Sequence, residues 1–395
     1  MTTSADTWGI HQAQFWLRGI RPRQAVEYDP KTGMWNVYGH PEIQRVLSDP
    51  ATFSSDTTRL FPEAAQLSEG TLTRLDPPEH QKLRKLVSHA FSRKVVADLE
   101  PRIAALTGEL LDAIADRGRA ELVADLAYPL PVIVIAELLG VPSDDRHLFK
   151  QWVDALFERT QQFSLVNRSA EQDRDIERAM EQVGHLTDYL AEHAAERKKR
   201  PREDLLTKLV EAEVDGERLT DAQIVNFANL LLIAGHITTT MLLGNTVLCL
   251  DAHPEQFAAV RADQSLVPSA IEESLRYFSP FAALGRVTNQ EVELGGERIP
   301  ADQLLFMWIA AANRDPREFR EPDVFDVTRD PNPHLAFGRG IHFCLGAPLA
   351  RLEGRVALNL LLDRFPKLRT DPDEAPAFIP SPNMTGVRRL PLLVS

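Results

Sequence analysis

Hydrophobic residues recur with a helical period through much of the first half of the chain. Between residues 169 and 200 they lie three and four positions apart, which gathers them into one stripe along a helix. The same period prevails from about residue 94, so we predict that helices dominate this region. The clearest stripe consists of Ile176, Met180, Val183, Leu186 and Leu190.

A later helix is predicted to be unusually long. Thr220 and Gln223 fit a capping box, in which each side chain bonds to the backbone of the other residue. The helix that they open can continue to about Asp251, because a helix-terminating proline follows at Pro254. About 30 residues at about 1.5 Å per residue span about 45 Å, which is enough to cross a whole domain.

Strand-like patterns are short and scattered. Residues 34–38 alternate, and a short helix opened by Pro41 follows them. Residues 292–296 show two alternating apolar positions before a pair of glycines, which is typical of a β-hairpin. Residues 313–336 contain four prolines and little periodicity, and an irregular segment of this length is usually functional. We therefore predict a mainly α-helical protein with small β-sheets.

Composition narrows the class of protein. No internal repeat or interdomain linker stands out, so residues 1–395 are expected to form a single domain. The formal net charge of −13 argues against nucleic-acid binding and against an anionic membrane. The two cysteines are too few for a disulfide framework. The start lacks the features of a signal peptide, and no apolar run approaches the roughly 18 residues of a spanning helix. The best candidate, residues 126–141, is interrupted by prolines, so a cytoplasmic protein without a membrane anchor is expected.

The clearest chemical signal surrounds Cys344, in the sequence FGRGIHFCLG of residues 337–346. Its three glycines permit tight turns and a close approach to a flat, bulky group. A helical pattern begins directly afterwards, with Pro348 in its first turn. Cys344 is thus expected at a helix N-terminus, where free N–H groups lower the pKa of a thiol and favour the thiolate. Such a thiolate is a suitable axial ligand for haem iron.

The residues alone leave other interpretations of Cys344 open. Most single cysteines behave as small buried hydrophobic residues. A nucleophile paired with His342 is conceivable, although no third residue that would orient the pair can be named. A zinc site would need about four ligands, and the sequence has no second cluster of cysteine and histidine at zinc spacing.

The decapeptide resembles the haem-binding signature of the cytochrome P450 family. Further landmarks of that family follow in the same order from about residue 30 to the end of the chain. The resemblance implies the triangular, mainly helical cytochrome P450 fold, with b-type haem held by Cys344 between the long helix and the helix after the cysteine. The matching positions, among which Phe337, Gly338 and Gly346 are expected to contact the haem, are Phe337, Gly338, Gly340, His342, Cys344 and Gly346.

Glu273 and Arg276 match the Glu-x-x-Arg pair of the family. At this spacing two side chains share a helix face and can pair, although such pairs are common and weak on surfaces. The resemblance implies a buried pair that is joined by an arginine of the irregular segment, here Arg329 in FDVTR. The three residues are expected to brace the cysteine loop, which is a structural role.

Four cations match the contacts that the family makes with the haem propionates. His80 and Arg84 lie four residues apart on a predicted helix, so both can point at one pair of carboxylates. Arg286 lies in the strand-like sequence GRVT, and His342 lies beside the cysteine. Taken singly, each would be expected to be a solvated surface cation.

The long helix contains the sequence LLIAGHITTT at residues 231–240. Glycine and threonine are poor helix formers, and a threonine hydroxyl can bond to the carbonyl four residues earlier and open a local bend. The resemblance makes this stretch the oxygen-binding groove, with Thr238 as the hydroxyl that helps to deliver protons. The matching positions are Ala234, Gly235, Thr238 and Thr239.

Ile237 departs from the family pattern, because most relatives carry an acid at that position. Isoleucine cannot relay a proton, so water or substrate hydroxyls would have to complete the path. His236 is a conceivable substitute, but an adjacent side chain on the helix should point away from the haem.

The resemblance implies a monooxygenase that inserts one atom of dioxygen into a small hydrophobic molecule, usually as a hydroxyl. Electrons are expected from a ferredoxin and its reductase, since the chain is too short to include a fused flavin reductase, and a monomer is expected. Similarity to actinobacterial enzymes of secondary metabolism indicates a macrolide or other polyketide substrate, in antibiotic biosynthesis. A peroxide-driven or other non-hydroxylating oxidant and a haem- or ligand-binding protein without turnover remain alternatives.

Two surfaces are expected to bind the other participants. Residues 56–75, 155–175, 278–285 and 382–386 are expected to line the substrate pocket. Their apolar members are Leu60, Phe61, Phe157, Phe163, Phe278, Phe281, Leu284 and Met384. A basic patch for an acidic electron donor, with scattered solvated cations as the alternative, is hypothesised at Lys82, Lys85, Arg339, Arg351 and Arg355.

Overall fold

The computed structural model describes residues 4–60, 71–88, 91–145, 147–149, 151–152, 164–166, 169–214 and 216–395. Helices supply most of the regular structure of these residues. The α-helices are α1 (Ser4–Thr7), α2 (His40–Ser48), α3 (Glu79–Ser88), α4 (Arg93–Ala97), α5 (Glu100–Asp112), α6 (Pro129–Leu139), α7 (Ala170–Lys199), α8 (Leu205–Glu211), α9 (Asp221–Ala252), α10 (Pro254–Ala262), α11 (Val267–Tyr277), α12 (Ile309–Ala312) and α13 (Ala347–Arg364).

Short strands form the remaining regular structure. The strands are β1 (Val26–Asp29), β2 (Met34–Val37), β3 (Phe53–Ser54), β4 (Arg119–Glu121), β5 (Glu213–Val214), β6 (Glu217–Arg218), β7 (Leu284–Thr288), β8 (Val292–Leu294), β9 (Glu297–Ile299), β10 (Leu304–Met307), β11 (Leu368–Thr370), β12 (Ala377–Phe378), β13 (Val387–Arg389) and β14 (Pro391–Val394). The prediction of a mainly helical protein with small sheets is confirmed.

The largest sheet has the strand order β1-β2-β10-β7-β3. Strand β10 runs parallel to β2 and antiparallel to β7, with Leu305 opposite Trp35 on one side and opposite Arg286 on the other. A second sheet has the order β11-β14-β4, and β8 and β9 form the hairpin predicted from the glycine pair. The predicted strand and helix at residues 34–48 are confirmed as β2 and α2.

The long helix α9 passes through the helical part of the molecule. The capping box of Thr220 and Gln223 is present, and the helix ends at Ala252, directly before the proline that starts α10. It packs against α6, α7, α11 and α13. Its side chains are buried around much of the circumference of the helix. Apolar residues therefore occur on all sides of α9 and do not form one stripe. The helix predicted at residues 169–200 is also confirmed, as α7, with the Ser169 side chain accepting a hydrogen bond from the Gln172 amide.

Among the described residues, α9 is the one helix that is long and apolar enough to cross a membrane. Its apolar window has a mean hydropathy of 1.5, and 72% of that window is buried inside the protein. The described helix that meets both requirements is therefore α9 and not residues 126–141, and its apolar residues belong to the core.

The five-stranded sheet packs its apolar side chains against α2. Val37, Ile43, Leu47, Phe53 and Leu305 are all buried in one cluster there. This cluster lies beside the cysteine loop, because α2 contacts the short 3-10 helix at Gly340–His342.

Candidate active site

The loop before Cys344 is shaped by its own backbone. The Gly338 amide donates to the Leu335 carbonyl at 2.8 Å, and the Cys344 amide donates to the Phe337 carbonyl at 2.9 Å. Gly340 has a φ of 68°, and a Cβ there would collide with the carbonyl oxygen of Leu47. Only glycine both adopts this positive φ readily and has no Cβ to clash, so the loop can lie directly against the end of α2.

Cys344 lies just before α13, as the sequence predicts. The amides of Gly346 and Ala347 donate hydrogen bonds to its sulfur, and Arg84 and Arg351 add positive charge nearby. The net effect on the pKa of the thiol is nevertheless upward, because burial disfavours the thiolate more than these groups favour it. The expectation of a lowered pKa is therefore wrong for the chain without a metal. A metal cation at the sulfur would reverse the balance.

Two arginines and two histidines converge at one edge of the cysteine loop. His80 and His342 have ring centroids 4.3 Å apart, and Arg286 on β7 is buried. Burial, followed by the charges of Arg286, His80 and Arg84, lowers the pKa of His342 to about 3. Burial also lowers the pKa of Arg286 to about 10, and the same cause lowers the pKa values of His80 and Arg84.

This cation cluster has few partners within the described residues. Both ring nitrogens of His80 are buried without a hydrogen-bond partner. His342 Nε2 lies 2.8 Å from Ser55 Oγ, Arg84 donates to the Phe343 carbonyl, and Arg286 donates to the carbonyl of Gly285. Two arginines, with two histidine rings beside them, fit a ligand with two negative charges, such as the two propionates of haem.

The cluster borders a cavity that separates the cysteine loop from α9. Cys344 lies on one wall, and Ala234, Gly235, Thr238 and Thr239 lie on the opposite wall. The other predicted haem-contacting or pocket residues that line it are Arg84, Phe281, Leu284, Phe337, Gly338, His342 and Gly346. The sequence motifs are more than 90 residues apart in the chain, and the fold brings them together.

The remaining predicted pocket residues lie elsewhere or outside the described residues. Phe278 is buried against Trp8 and Phe378, and Leu60 packs at the edge of an apolar cluster of the large sheet. Met384 packs behind the cavity wall, as shown below. Phe61, Phe157 and Phe163 lie outside the described residues, so their contact with a substrate stays a prediction.

The threonines of α9 bond back to their own helix. Thr238 Oγ donates to the Ala234 carbonyl at 2.7 Å, and Thr239 Oγ donates to the Gly235 carbonyl at 3.0 Å. The helix is continuous through this stretch. The Thr238 hydroxyl therefore keeps its lone pairs for a second partner, so it can accept a proton and donate one in turn.

Ile237 and His236 both lie away from this groove. Ile237 packs in an apolar cluster with Met241 and Met384. His236 is fully buried, with its Nδ1 2.5 Å from the Leu232 carbonyl and its ring edge-on to Tyr128. The sequence-based expectation that His236 would point away from the groove agrees with this geometry.

An ion-paired network holds the irregular segment that precedes the cysteine loop. Arg276 donates to both carboxylate oxygens of Glu273 at 2.7 and 2.8 Å, and both side chains are fully buried. Arg329 donates to the same carboxylate at 3.1 and 3.2 Å. Arg276 also donates to the carbonyls of Asn313 and Pro322. The side chains thus supply the hydrogen bonds that regular structure supplies elsewhere.

Sequence reasoning missed Glu353, which lines the cavity from α13. Its side chain is 2% exposed, Oε2 has no partner among the described residues, and burial raises the pKa of the carboxyl to about 8. It is the single carboxylic acid among the lining residues that the structure describes. The signal was an acid on the apolar stripe of α13, between Leu349 and Val356.

The hypothesised basic patch is largely paired with acids. Lys82 lies 3.4 Å from Glu217, and Arg355 lies 2.8 Å from Glu100. Arg351 binds both oxygens of Glu272, and together with His334 it lowers the pKa of that carboxyl to about 2 despite its burial. The patch therefore carries less net charge than the sequence suggests. Beside it, the side chain of Phe343 is 42% exposed.

Comparison with known proteins agrees with this arrangement. The cytochrome P450 family model matches residues 26–394. The chain is 46% identical over 358 residues to the cyclomarin C epoxidase CymV of Salinispora arenicola, with 89% of each chain covered. It is 44% identical over 381 residues to the erythromycin C-12 hydroxylase of Saccharopolyspora erythraea, with 96% of this chain and 93% of that protein covered.

A solved structure of the hydroxylase HmtN, involved in himastatin biosynthesis, matches over 100% of both chains with a TM-score of 0.87 and 58% identity. The fold is therefore that of the haem-thiolate oxygenases. The chain belongs to the cytochrome P450 family and is a monooxygenase.

Proposed function

We propose that Cys344 holds the iron of a b-type haem in the cavity and that substrate is oxidised between the haem and Thr238. The observation that carries this proposal is the shared cavity, with the only described cysteine of its lining on one wall and the threonine groove on the other. When bound, the haem supplies the iron at which dioxygen is reduced and one oxygen atom becomes reactive.

The chain's own groups have separate tasks in this proposal. The amides of Gly346 and Ala347 would stabilise charge on the Cys344 sulfur, and His80, Arg84, Arg286 and His342 would donate hydrogen bonds to the propionates. Phe337 and Gly338 would lie against the haem, and Leu284 and Phe281 would exclude water from the substrate side. Thr238 Oγ would accept a hydrogen bond from cavity water and hold a proton at its hydroxyl on the side of the cavity that faces Cys344, with Ala234, Gly235 and Thr239 shaping the groove.

The proposed substrate is a preassembled hydrophobic secondary metabolite, of the macrolide or other polyketide type. The support is the apolar character of the wall formed by Phe227, Leu230, Leu231 and Phe281, together with the relatives named for oxidising erythromycin and cyclomarin. Himastatin-related molecules belong in the test, because HmtN is more similar to this chain than either of those relatives.

Electrons would come from a ferredoxin and its reductase, docking near the exposed Phe343 and the partly paired basic patch. We further propose that the chain works as a monomer, as a single domain of residues 1–395, in the cytoplasm. A peroxide-driven reaction is the second candidate. The observation that favours it is the absence of an acid at residue 237 together with the burial of that side chain outside the groove.

The carbon monoxide complex of the reduced protein tests the haem ligation. A far-shifted Soret band is expected from a thiolate ligand, and a globin-like band in freshly prepared protein would reject Cys344 as the ligand. Spectral titration with polyketides, himastatin-related molecules, other peptides, terpenes and fatty acids then tests the substrate class. Displacement of iron-bound water by peptides alone would reject the polyketide assignment. Turnover with peroxide and none with ferredoxin, reductase and NADPH would select the second candidate.

A further inference from the structure

The first 25 residues precede the family-matched residues 26–394, and one of them is hydrogen-bonded to a turn near the C-terminus. Gln14 lies in this segment and is 1% exposed. Its Nε2 donates to the Ser381 carbonyl at 3.0 Å and to the Met384 carbonyl at 2.8 Å. Its Oε1 accepts from Thr385 Oγ at 2.6 Å. One amide thus satisfies three polar groups of a single turn, all separated from it by more than 360 residues.

The turn at residues 381–385 is in turn joined to the loop that enters β7. The Thr385 amide donates to the Pro280 carbonyl at 3.0 Å, and the Ala282 amide donates to the Asn383 carbonyl at 2.8 Å. These two bonds form an isolated bridge in which Phe281 faces Met384. The position of Phe281 therefore depends on the position of the turn.

Met384 transmits this dependence to the cavity. Its side chain is buried in a cluster with Ile237 and Met241, with Phe281 packed against them. Phe281 lines the same cavity as Thr238 and Cys344, whereas Met384 lies behind that wall. A displaced turn would move or loosen the apolar wall next to the groove, without touching the cysteine loop.

A second contact holds the same segment close to the turn. The Trp8 carbonyl accepts from the Phe378 amide at 3.0 Å, and the two rings are stacked with centroids 5.7 Å apart. Asn245 on α9 holds the turn from the other side, donating to the Thr385 carbonyl at 2.8 Å. Two buried side-chain amides thus hold the turn from opposite sides. Asn245 belongs to α9, and Gln14 belongs to the N-terminal segment.

We propose that Gln14 is a positioning residue for substrate selection, which fixes the Met384 turn and thereby the Phe281 wall of the cavity. The inference rests on the proposed function only in taking this cavity as the substrate site. Because the loop that holds Cys344 is not involved, Gln14 should control how bulky molecules fit and not how the iron is ligated.

Two substitutions should weaken the hydrogen bonds between Gln14 and the turn to different extents. Gln14→Glu keeps the oxygen that accepts from Thr385 but places a second oxygen against the Ser381 and Met384 carbonyls, which costs more than a lost bond. Thr385→Val removes one of the three bonds and keeps the shape. Gln256→Ala is a matched control, since the Gln256 side chain accepts from the Val327 amide at 2.9 Å and lies outside the cavity lining that the structure describes.

The test uses haem-loaded protein and two probes of different size, imidazole and phenylimidazole, followed by spectral titration. In Gln14→Glu, we expect the dissociation constant of phenylimidazole to rise by at least about fivefold, the factor equivalent to one buried hydrogen bond. That of imidazole should change less than about twofold, because it does not need the wall. Thr385→Val should give an intermediate value, and Gln256→Ala should change neither.

Hydrogen exchange supplies a readout that is independent of binding. Amides of residues 381–386 should exchange faster in Gln14→Glu, while the Cys344 amide stays protected. Equal weakening of both probes, or unchanged exchange in the turn, would overturn the proposal. A normal carbon monoxide spectrum in every variant separates this outcome from failure of the proposed haem site.

Discussion

The two walls of the cavity are built in different ways. On the cysteine wall, position is set by backbone: the Cys344 amide bonds to Phe337, and Gly340 lies against the carbonyl of Leu47. Behind the α9 wall, position is set by side chains, with Ile237 packed on Met241 and Met384. Backbone contacts allow few residue types, whereas apolar packing accepts many. The wall that binds the common cofactor is thus the constrained one, and the wall that meets the substrate is free to differ.

Replacement of Cys344 on the cysteine wall should have the largest effect on activity. Cys344→Ala is expected to abolish the thiolate spectrum and turnover, because no other thiol lines the described part of the cavity. The control is Cys249→Ala, at a cysteine that is buried in the core with a strongly raised pKa. Turnover that survives in Cys344→Ala would show that the two walls are not divided in this way.

Disruption of the ion-paired network of Glu273, Arg276 and Arg329 should have the second-largest effect. Glu273→Gln leaves Arg276 and Arg329 buried without their carboxylate, which is expected to cost about 3–5 kcal/mol of unfolding free energy. Denaturant unfolding measures this cost. The exposed pair of Arg298 and Glu291 is the comparison, and Arg298→Ala should change little. A similar small change for Glu273→Gln would mean that backbone contacts hold the loop unaided.

The threonine of the α9 wall should affect chemistry and not stability. Thr238→Ala is expected to lower product formed per electron on the order of tenfold and to raise peroxide release. That is less than a positioned proton donor usually contributes, because cavity water can replace the hydroxyl. Thr246→Ala is the matched control, since Thr246 makes the same bond to the carbonyl four residues earlier, deep in the core. Unchanged coupling in Thr238→Ala would remove Thr238 from proton delivery.

Substitution of Glu353 should have the smallest effect on turnover, and its effect should be seen in the pH dependence of stability. The folded carboxyl has a pKa of about 8 and the unfolded one has its ordinary lower value, so the folded chain binds more protons between them. Unfolding free energy should therefore fall as pH rises from about 5 to about 8, by less than about 1.4 kcal/mol per pH unit. Glu353→Gln should flatten this slope, as measured by thermal unfolding across that range. Glu272→Gln, at a carboxyl whose pKa is lowered, should instead remove stability at neutral pH.

Local signals explain which features the sequence predicts well. The Thr220–Gln223 capping box, the Gly295–Gly296 hairpin and the Cys344 loop are each encoded within a few neighbouring residues. The long helix and the loop could therefore be placed before the structure was known. The motif also indicated that Glu273, Arg276 and Arg329 would meet.

Effects that depend on distant packing could not be predicted in the same way. The pKa of Cys344 rises because burial outweighs the helix start, and burial is a property of the whole fold. Phe278 and Phe281 differ by three positions, yet one packs against Trp8 and the other lines the cavity. Gln14 carries no motif, and its importance depends on a turn at the opposite end of the chain.

The contact between Gly340 and Leu47 has a consequence for the exchange of parts between related enzymes. Because the end of α2 touches the backbone of the cysteine loop, these two segments act as a matched pair across almost 300 residues of chain. A chimaera that takes residues 40–48 from one enzyme and residues 337–346 from another would have to reproduce this fit. Crossovers that keep both segments from one parent should preserve haem incorporation, so the pair marks a boundary for recombination.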